Sequence, residues 1–281
     1  MKKSLENVRT HTPLVHNITN YVTVNDVANV LLAIGASPIM SDEPEDVEDI
    51  TSICNGLNIN IGTLNKHSIE AMFLAGKRAN ECGNVVVLDP VGAGASKLRT
   101  STAMELIDNI KFDVIRGNIS EIKTIANGSG TTKGVDADIA DAVTEENLPQ
   151  MIEFTKNLAG KLDCIIAITG AIDIVANSGK CFVIYNGNKA MSKITGTGCQ
   201  LSSLICAFVS GAVRQNDIED MEYMKLKATA AAVCTMGLAG EKGFDLLQDN
   251  EGNSTYRNRI IDSIYNMTGE ELERGARYEV Y

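Results

Sequence analysis

The chain has 281 residues, a formal net charge of −11 and 44% hydrophobic residues, which is enough apolar material for one large domain or two small ones. The acidic balance argues against nucleic acid as a partner, because phosphate backbones bind clustered lysine and arginine. No apolar run is long enough to cross a bilayer, and the N-terminus lacks the apolar block of a signal peptide, so we expect no membrane partner.

Short apolar runs alternate with helical patterns along the chain. In chain order, the patterns predict a helix over 25–34, a strand over 36–40, helices over 45–54 and 66–81, a strand over 85–89, a helix over 103–110, a strand over 113–116, a helix within 137–160, a strand over 164–169, a hairpin of strands 173–176 and 181–185, and a helix over 224–240. Asp42 is expected to cap the helix at 45, with Pro44 near its first turn. Strands that alternate with helices predict a mostly parallel central sheet in a three-layer α/β/α sandwich, here one domain over 1–281.

Residues 194–202 join a glycine-rich loop to the start of a helix. Gly196 and Gly198 allow a ligand to approach the backbone closely, and the first N–H groups of a helix carry partial positive charge. Such a loop suits an anion such as phosphate, and Cys199 falls where a reactive group would meet it. A glycine-rich turn with a buried thiol is the competing interpretation. A helix buried in the core is predicted to follow, from Leu201, Leu204, Ile205, Phe208 and Val209.

Further candidate site residues stand where predicted strands end, the edge at which open α/β sheets bind ligands. Met40, Asp89, Arg116 and Thr169 end four strands in this way. Asp89 and Glu121 are the pair of carboxylates suited to Mg²⁺, which prefers oxygen ligands. A turn residue before proline and a charge that complements a helix dipole are the competing interpretations of the two.

Arg116 closes an apolar strand, and a buried cation there needs a partner. A bound phosphate or an internal salt bridge would each provide one. Thr169 either serves the site or only caps the next segment. The three histidines, His11, His16 and His67, lack metal-ligand spacing and are interpreted as structural or surface residues.

Several signatures are missing from the sequence. It has no P-loop motif and no Gly-x-Ser-x-Gly elbow. Gly92-Ala93-Gly94 follows a strand, but Lys97 replaces the third glycine of a dinucleotide-binding fingerprint. The seven cysteines are an odd number without a Cys-x-x-Cys pair, which argues against disulfides and structural zinc and for a reducing cytoplasm.

The run 13–22 is apolar but interrupted by amides and hydroxyls. Asn17, Thr19 and Asn20 could cap the helix that begins near residue 25. They could instead supply hydrogen-bond donors and acceptors to a heterocycle. The sequence leaves both interpretations open.

Together these motifs resemble the hydroxyethylthiazole kinase family, within the ribokinase-like superfamily. The match rests on His16-Asn17-Ile18-Thr19-Asn20, Gly35-Ala36-Ser37-Pro38-Ile39-Met40, Leu88-Asp89-Pro90-Val91-Gly92-Ala93-Gly94, Arg116-Gly117-Asn118-Ile119-Ser120-Glu121 and Thr195-Gly196-Thr197-Gly198-Cys199. These motifs follow one another in order from about residue 10 to residue 240. Each is weak alone, and the combination is specific.

The resemblance implies phosphorylation of 4-methyl-5-(2-hydroxyethyl)thiazole on its primary hydroxyl, with ATP as co-substrate and Mg²⁺ as cofactor, for thiamine salvage. It also implies a homotrimer with active sites between subunits. The resemblance assigns thiazole contact to Met40 and Gly196, reach into a neighbouring subunit's site to Asn20, ATP contact to Arg116 and Thr169, the metal to Asp89 and Glu121, and the anion loop to Thr195, Thr197 and Gly198, with Cys199 facing the transferred phosphoryl group.

Related sugar kinases carry aspartate where this chain has Cys199. A thiol with an ordinary pKa of about 8.5 is mostly protonated at neutral pH. A helix N-terminus lowers that pKa and a nearby ATP raises it. We therefore interpret Cys199 as a weak base rather than a nucleophile.

Three other functions remain open from the sequence. One is a kinase of the same fold that acts on another small alcohol, such as a hydroxymethylpyrimidine. Another is a transferase in which His16 or His67 activates Cys199 as a nucleophile. The last is a protein that binds a thiazole or a nucleotide without catalysis.

Overall fold

The computed structural model describes residues 1–128, 142–214 and 220–281. The helices are α1 (Lys2–His11), α2 (Val24–Ile34), α3 (Val47–Ile53), α4 (Lys66–Cys82), α5 (Lys97–Asn109), α6 (Ile119–Gly128), α7 (Leu148–Leu162), α8 (Thr197–Ala212), α9 (Met221–Asp245), α10 (Asn253–Asn266) and α11 (Gly269–Gly275). The strands are β1 (Leu14–Ile18), β2 (Ser37–Met40), β3 (Gly56–Asn60), β4 (Val85–Asp89), β5 (Val114–Gly117), β6 (Ile165–Ile168), β7 (Asp173–Ala176), β8 (Cys181–Ile184) and β9 (Tyr278–Val280). None of the helices in these ranges has the length and apolar character that crossing a bilayer requires.

The strands of the described ranges form one sheet in the order β2-β1-β3-β4-β5-β6-β7-β8-β9. Neighbours from β2 to β6 pair in parallel, and β6 to β9 pair antiparallel. Because parallel strands share one direction, the carboxyl ends of β1 to β6 meet at a single edge of the sheet. The mostly parallel sheet predicted from the sequence is confirmed.

Alternate residues of the central strands enter two different cores. Val85 and Val87 of β4 pack into the core with α1, α2, α8, α9 and α10, whereas Val86 and Leu88 pack into the core with α4 to α7. Both faces of the sheet are therefore covered, as expected for strands that read as continuous apolar runs. This confirms the three-layer α/β/α sandwich, while one domain over 1–281 stays a prediction.

Most predicted elements are present, with corrected ends. The helix predicted from residue 45 begins at Val47 after Asp46, so Asp42 as its cap is wrong; a turn through Pro44 separates the two. The helix predicted from 103 begins at Lys97, because the Ser96 hydroxyl accepts the Arg99 N–H and caps it. The predicted hairpin is confirmed by the antiparallel pairing of β7 with β8. Part of the helix predicted within 137–160, residues 137–141, lies outside the described residues.

The sequence pattern missed β1 and β3. Both strands are buried, yet asparagines interrupt them, at Asn17 in β1 and at Asn58 and Asn60 in β3. These polar residues break the apolar runs that predicted the other strands. The strand 36–40 is therefore the second along the chain rather than the first.

Candidate active site

Asp89 ends β4 at the centre of the carboxyl edge and is fully buried. Its Oδ2 accepts hydrogen bonds from Asn60 Nδ2 at 2.8 Å and from Ser202 Oγ at 2.9 Å. Its Oδ1 lies 3.5 Å from Nη1 of Arg116. Burial raises the pKa of Asp89 to about 6, opposed by the Arg116 charge and reinforced by that of Glu121. A carboxylate this deep and this well bonded is no simple turn residue.

The side chain of Arg116 extends from β5 along the edge of the sheet to Thr169, the residue after β6. Its Nε and Nη2 donate to Thr169 Oγ1 at 3.0 and 2.6 Å, and its side chain is 12% exposed. The internal salt bridge to Asp89 is thus present, and Thr169 does more than cap a segment. The remaining exposed part of the guanidinium lines a cavity, which leaves it able to meet an anion as well.

Glu121 stands in the first turn of α6, where it braces two loops. Its Oε1 accepts the N–H of Gly92 and its Oε2 accepts the N–H of Asn118, both at 2.8 Å. The carboxylate therefore ties the loop after β4 to the loop after β5. In the parts of the chain that the structure describes, no group of three or more His, Cys, Asp or Glu side chains is arranged to hold a metal ion.

The glycine loop leads into α8 as predicted, with Gly196 as N-cap and Cys199 in the first turn. Gly196 has φ of +88°, and a Cβ there would overlap the methyl group of Thr23. A Cβ on Gly198 would lie 2.5 Å from Nη1 of Arg116. Position 196 therefore requires glycine, whereas a side chain at Gly198 would displace the Arg116 guanidinium. Thr197 and Gly198 line the same cavity as Arg116, whereas Thr195 is exposed beside it.

Cys199 is 8% exposed, and its Sγ accepts a hydrogen bond from Asn20 Nδ2 at 3.2 Å. The same Nδ2 donates to Asn60 Oδ1 at 3.0 Å, and Asn20 Oδ1 accepts from Thr23 Oγ1 at 3.1 Å. Burial, followed by the charge of Asp89, raises the pKa of the Cys199 thiol. The thiol is therefore protonated at neutral pH, and the role of Cys199 as a base stays a prediction.

The amide run before α2 does not cap that helix. The N-cap is Thr23, and its side chain accepts no capping bond. Asn17, Thr19 and Met40 instead line a cavity of about 160 Å³. Thr19 Oγ1 is buried there without a hydrogen-bond partner among the described residues. An unpaired buried hydroxyl is costly, so this one is suited to a ligand.

A second cavity of about 750 Å³ is lined in part by Thr197 and Gly198 of the glycine loop. Its wall includes Arg116, Thr169 and Thr197 from the edge of the sheet, and Asp173, Asn186 and Lys189 from the segments that follow β6 and β8. Asp173 Oδ1 accepts the Gly170 N–H at 2.8 Å, and burial raises the pKa of Asp173 to about 7.

The hydrogen bond between Asn20 and Cys199 links a segment that lines the small cavity to one that lines the large cavity. Thr19 lines the small cavity and precedes Asn20, while Gly198 lines the large cavity and precedes Cys199.

The histidines give no support to an activated cysteine nucleophile. His16 is fully buried, with Nδ1 2.9 Å from Thr51 Oγ1 and Nε2 2.9 Å from the Ser41 carbonyl oxygen. Burial lowers the pKa of His16. His67 is exposed in the first turn of α4. His16 is therefore structural and His67 lies on the surface, as interpreted from the sequence.

Sequence reasoning missed three residues of the site: Asn60, Asp173 and Ser202. Asn60 belongs to a strand that the pattern did not reveal, and Asp173 looked like the first residue of a hairpin. Ser202 lies one turn into α8, and its position gave one available signal. Residues three and four apart share a helix face, so the residue following Cys199 by three is a candidate for the same site.

Comparisons with known proteins agree on one family. The model of the hydroxyethylthiazole kinase family matches residues 5–270. A hydroxyethylthiazole kinase of Clostridium acetobutylicum is 56% identical over 281 residues, which cover 100% of both chains. The solved structure of a hydroxyethylthiazole kinase from Pyrococcus horikoshii OT3 is similar at a TM-score of 0.85 and 33% identity, covering 99% of this chain and 98% of that one. A pyridoxal kinase from Staphylococcus aureus in complex with ADP shares the fold at a TM-score of 0.57 and 11% identity, covering 95% of this chain and 97% of that one.

Proposed function

The chain belongs to the hydroxyethylthiazole kinase family, and from that premise we propose that it transfers the terminal phosphoryl group of ATP to the primary hydroxyl of 4-methyl-5-(2-hydroxyethyl)thiazole in thiamine salvage. The observation that supports this most is the contact of Asn20 with Cys199, because it links the segment of Thr19, which lines the small cavity, to the N-terminus of α8, where Gly198 lines the large cavity. The small cavity suits the thiazole and the large cavity suits ATP. The proposed thiazole contacts are Met40, which lines the small cavity, and Gly196, which stands at the start of α8.

Phosphoryl transfer depends on positioning and on neutralising the charge of the moving group. The first N–H groups of α8 have no partner within the helix, and the helix begins at Thr197 and Gly198, which line the large cavity. Arg116 lies against Gly198, so its positive charge adds to that of the helix terminus. Thr169 holds the guanidinium in place from the next strand.

In the proposed step, the thiazole hydroxyl oxygen bonds to the terminal phosphorus as the bond to the bridging oxygen of ADP breaks. The hydroxyl proton leaves late in a loose transition state, so a weak base suffices. The thiolate form of Cys199, a minor fraction at neutral pH, is the proposed acceptor of that proton, which returns it to the thiol. Asn20 donates to this sulfur and orients it.

Magnesium is part of the proposal, with Asp89 and Glu121 as its carboxylates. Both supply the oxygen ligands that Mg²⁺ prefers, and Glu121 lies near enough for its charge to raise the pKa of Asp89. A cation held by these carboxylates would relieve their repulsion. Bound there, Mg²⁺ would neutralise the phosphate oxygens of ATP.

We also propose a homotrimer with a second copy covering the small cavity. Tyr21 lines that cavity and is 80% exposed, and Val22 beside it is 57% exposed. Apolar side chains this exposed at the mouth of a site suit a protein partner. Asn20, however, uses both amide hydrogens within its own chain, so we propose that it acts there rather than in a neighbour's site. Sedimentation equilibrium of the purified protein tests the trimer.

A cytoplasmic location is proposed as well. All seven cysteines are free, and most are buried. Free thiols are typical of proteins in reducing compartments.

The deciding experiment is a coupled ADP-release assay with and without Mg²⁺. We expect turnover with hydroxyethylthiazole that requires the metal and exceeds turnover with hydroxymethylpyrimidine. The reverse preference would favour a kinase of the other alcohol. Binding without ADP release by folded protein would contradict the kinase and indicate a binding protein.

Replacing Cys199 with alanine is expected to slow turnover by up to about 100-fold, the low end of what a positioned acid–base group supplies. Thiazole affinity should fall much less, because the sulfur acts on the proton rather than on the ring. Steady-state kinetics and direct binding of the thiazole measure the two effects. The matched control is Cys206→Ala, a buried thiol farther along α8. Equal losses of turnover and of affinity in Cys199→Ala would contradict this role.

The KM for ATP is expected to rise between pH 6 and pH 8. Asp173 has a pKa of about 7, so it is neutral below this pH and ionised above it. The ionised form repels the phosphates, while Arg116 and Lys189 of the same cavity attract them. If ATP shifts this pKa by about one unit, its affinity changes about tenfold across the range. Asp173→Asn keeps an acceptor for Gly170 and should flatten the profile; an unchanged slope would rule Asp173 out as its origin.

A further inference from the structure

The loop between β8 and the short 3₁₀ helix Lys189–Lys193 forms one wall of the large cavity, through residues 186–189. Asn186 is 5% exposed, and its amide is bonded outside the loop. Its Oδ1 accepts the Arg277 N–H at 2.7 Å, and its Nδ2 donates to the Gly275 carbonyl at 3.0 Å. The C-terminal segment therefore determines where this wall lies.

An ion pair between Arg277 and Glu241 holds the same loop. Arg277 donates from Nη1 to Oε2 of Glu241 at 2.9 Å and from Nη2 to Oε1 at 2.8 Å, and Nη2 also reaches the Tyr185 carbonyl at 2.9 Å. Glu241 Oε1 accepts the Gly187 N–H at 2.7 Å. Because Arg277 is 54% exposed, its charge adds little stability by itself. Its forked geometry, which fixes a carboxylate and a carbonyl together, is what positions the loop.

The segment is anchored on both sides of Arg277. Its residues 278–280 form β9, which pairs with β8, and the Tyr185 N–H donates to the Arg277 carbonyl at 2.9 Å. On the other side, the loop lies directly on α9. A Cβ added to Gly237 would lie 2.7 Å from the backbone of Asn186. The wall is thus held between α9 and the C-terminal segment, which lies beyond the residues 5–270 matched by the family model.

We propose that Arg277 is a positioning residue for ATP, whose side chain fixes the wall at residues 185–189 through Glu241 and the Tyr185 carbonyl. The proposal rests on the proposed function, in which ATP occupies the large cavity. The residues that line the small cavity come from the first part of the chain, between Asn17 and Met72. Disturbing the C-terminal segment should therefore weaken ATP binding and leave the thiazole unaffected.

The test compares Arg277→Ala with Arg274→Ala, the nearest other arginine, which donates only to the Glu270 carbonyl of its own helix among the bonds described. Arg277→Ala is expected to raise the KM for ATP about tenfold and to leave the KM for thiazole within about twofold, since a displaced wall misplaces only the nucleotide. Arg277→Lys should give an intermediate value, because a single ammonium cannot bridge both oxygens and the carbonyl. Arg274→Ala should match the parent protein.

A second measurement separates this proposal from the kinase assignment. Titration calorimetry with ADP reports nucleotide affinity without turnover, and we expect a loss of about tenfold in Arg277→Ala. A parent protein that binds ADP but releases none from ATP would overturn the proposed function alone. Unchanged ADP affinity and ATP KM in folded Arg277→Ala, or equal rises in both KM values, would overturn the role of Arg277. If that variant does not fold, Arg277→Lys and Glu241→Gln decide by the same criteria.

Discussion

Asp89→Asn is expected to lower kcat by about 100-fold or more, the size of effect seen when one preorganised electrostatic group is lost. The Asp89 carboxylate pairs with the Arg116 guanidinium and is a proposed ligand of magnesium, and an amide removes its charge while nearly keeping its shape. Its acceptor position for Asn60 and Ser202 can still be filled by the amide oxygen. The coupled ADP assay measures the loss.

The free energy of unfolding of Asp89→Asn, unlike its kcat, should not fall. The pKa of Asp89 is about 6 in the folded protein, above its ordinary value of 3.8, so ionisation is disfavoured by folding. Ionisation of Asp89 therefore lowers the free energy of unfolding. This cost is full above pH 6, declines as the pH falls from 6 to 3.8, and is absent below 3.8. Asparagine carries no such cost, so Asp89→Asn should melt at or above the parent temperature at pH 7. Such opposed effects are typical of functional sites.

Asp113→Asn serves as the matched control. Asp113 precedes β5 at the far end from the site, where it accepts the Val86 N–H and pairs with Lys225 at 2.8 Å. Its loss should lower the melting temperature and leave kcat nearly unchanged. If Asp113→Asn slowed turnover as much as Asp89→Asn, the special role of Asp89 would be refuted.

Gly198→Ala is expected to reduce kcat/KM by about 100-fold, the cost of a misplacement of about 1 Å in a positioned site. The added Cβ would lie 2.5 Å from Nη1 of Arg116, so the guanidinium or the start of α8 must move. Helix propensity alone would favour alanine by up to about 1 kcal/mol, so stability and activity again diverge. Arg116 and the N–H groups of α8 then no longer face the same point.

The control for this prediction is Gly252→Ala. Gly252 is also a helix N-cap, at the start of α10, and a Cβ there would have no atom within 4 Å. Kinetic constants of the control should equal those of the parent protein. Full activity in Gly198→Ala would show that the contact with Arg116 is unimportant.

The sequence predicted the sheet wherever apolar residues were continuous, as in β4, β5 and β6. It failed at β1 and β3, because the polar residues Asn17 and Asn60 interrupt the pattern and serve the site. The asparagines of the candidate site thus interrupted the apolar pattern that would have revealed these two strands. Pattern reasoning relies on burial of apolar surface, and it fails where buried residues are polar and paired.

The sequence predicted where the site residues lie on the strands, but not which residues they form hydrogen bonds with. Asp89 and Arg116 were placed at strand ends from the sequence, and both are there. Their bonds to Ser202 and Thr169 depend on side-chain directions across the sheet edge, which no local pattern reveals. Likewise, the anchoring of Asn186 by Arg277 joins residues 91 apart in the chain.

The buried thiol of Cys199 also bears on oxidative damage. Oxidants and alkylating agents attack the thiolate, and the raised pKa and 8% exposure of Cys199 leave little thiolate for them to reach. Cys82, exposed at the end of α4, is the thiol that meets such reagents first. The same burial that keeps Cys199 protonated therefore protects it from these reagents, whereas Cys82 is open to them.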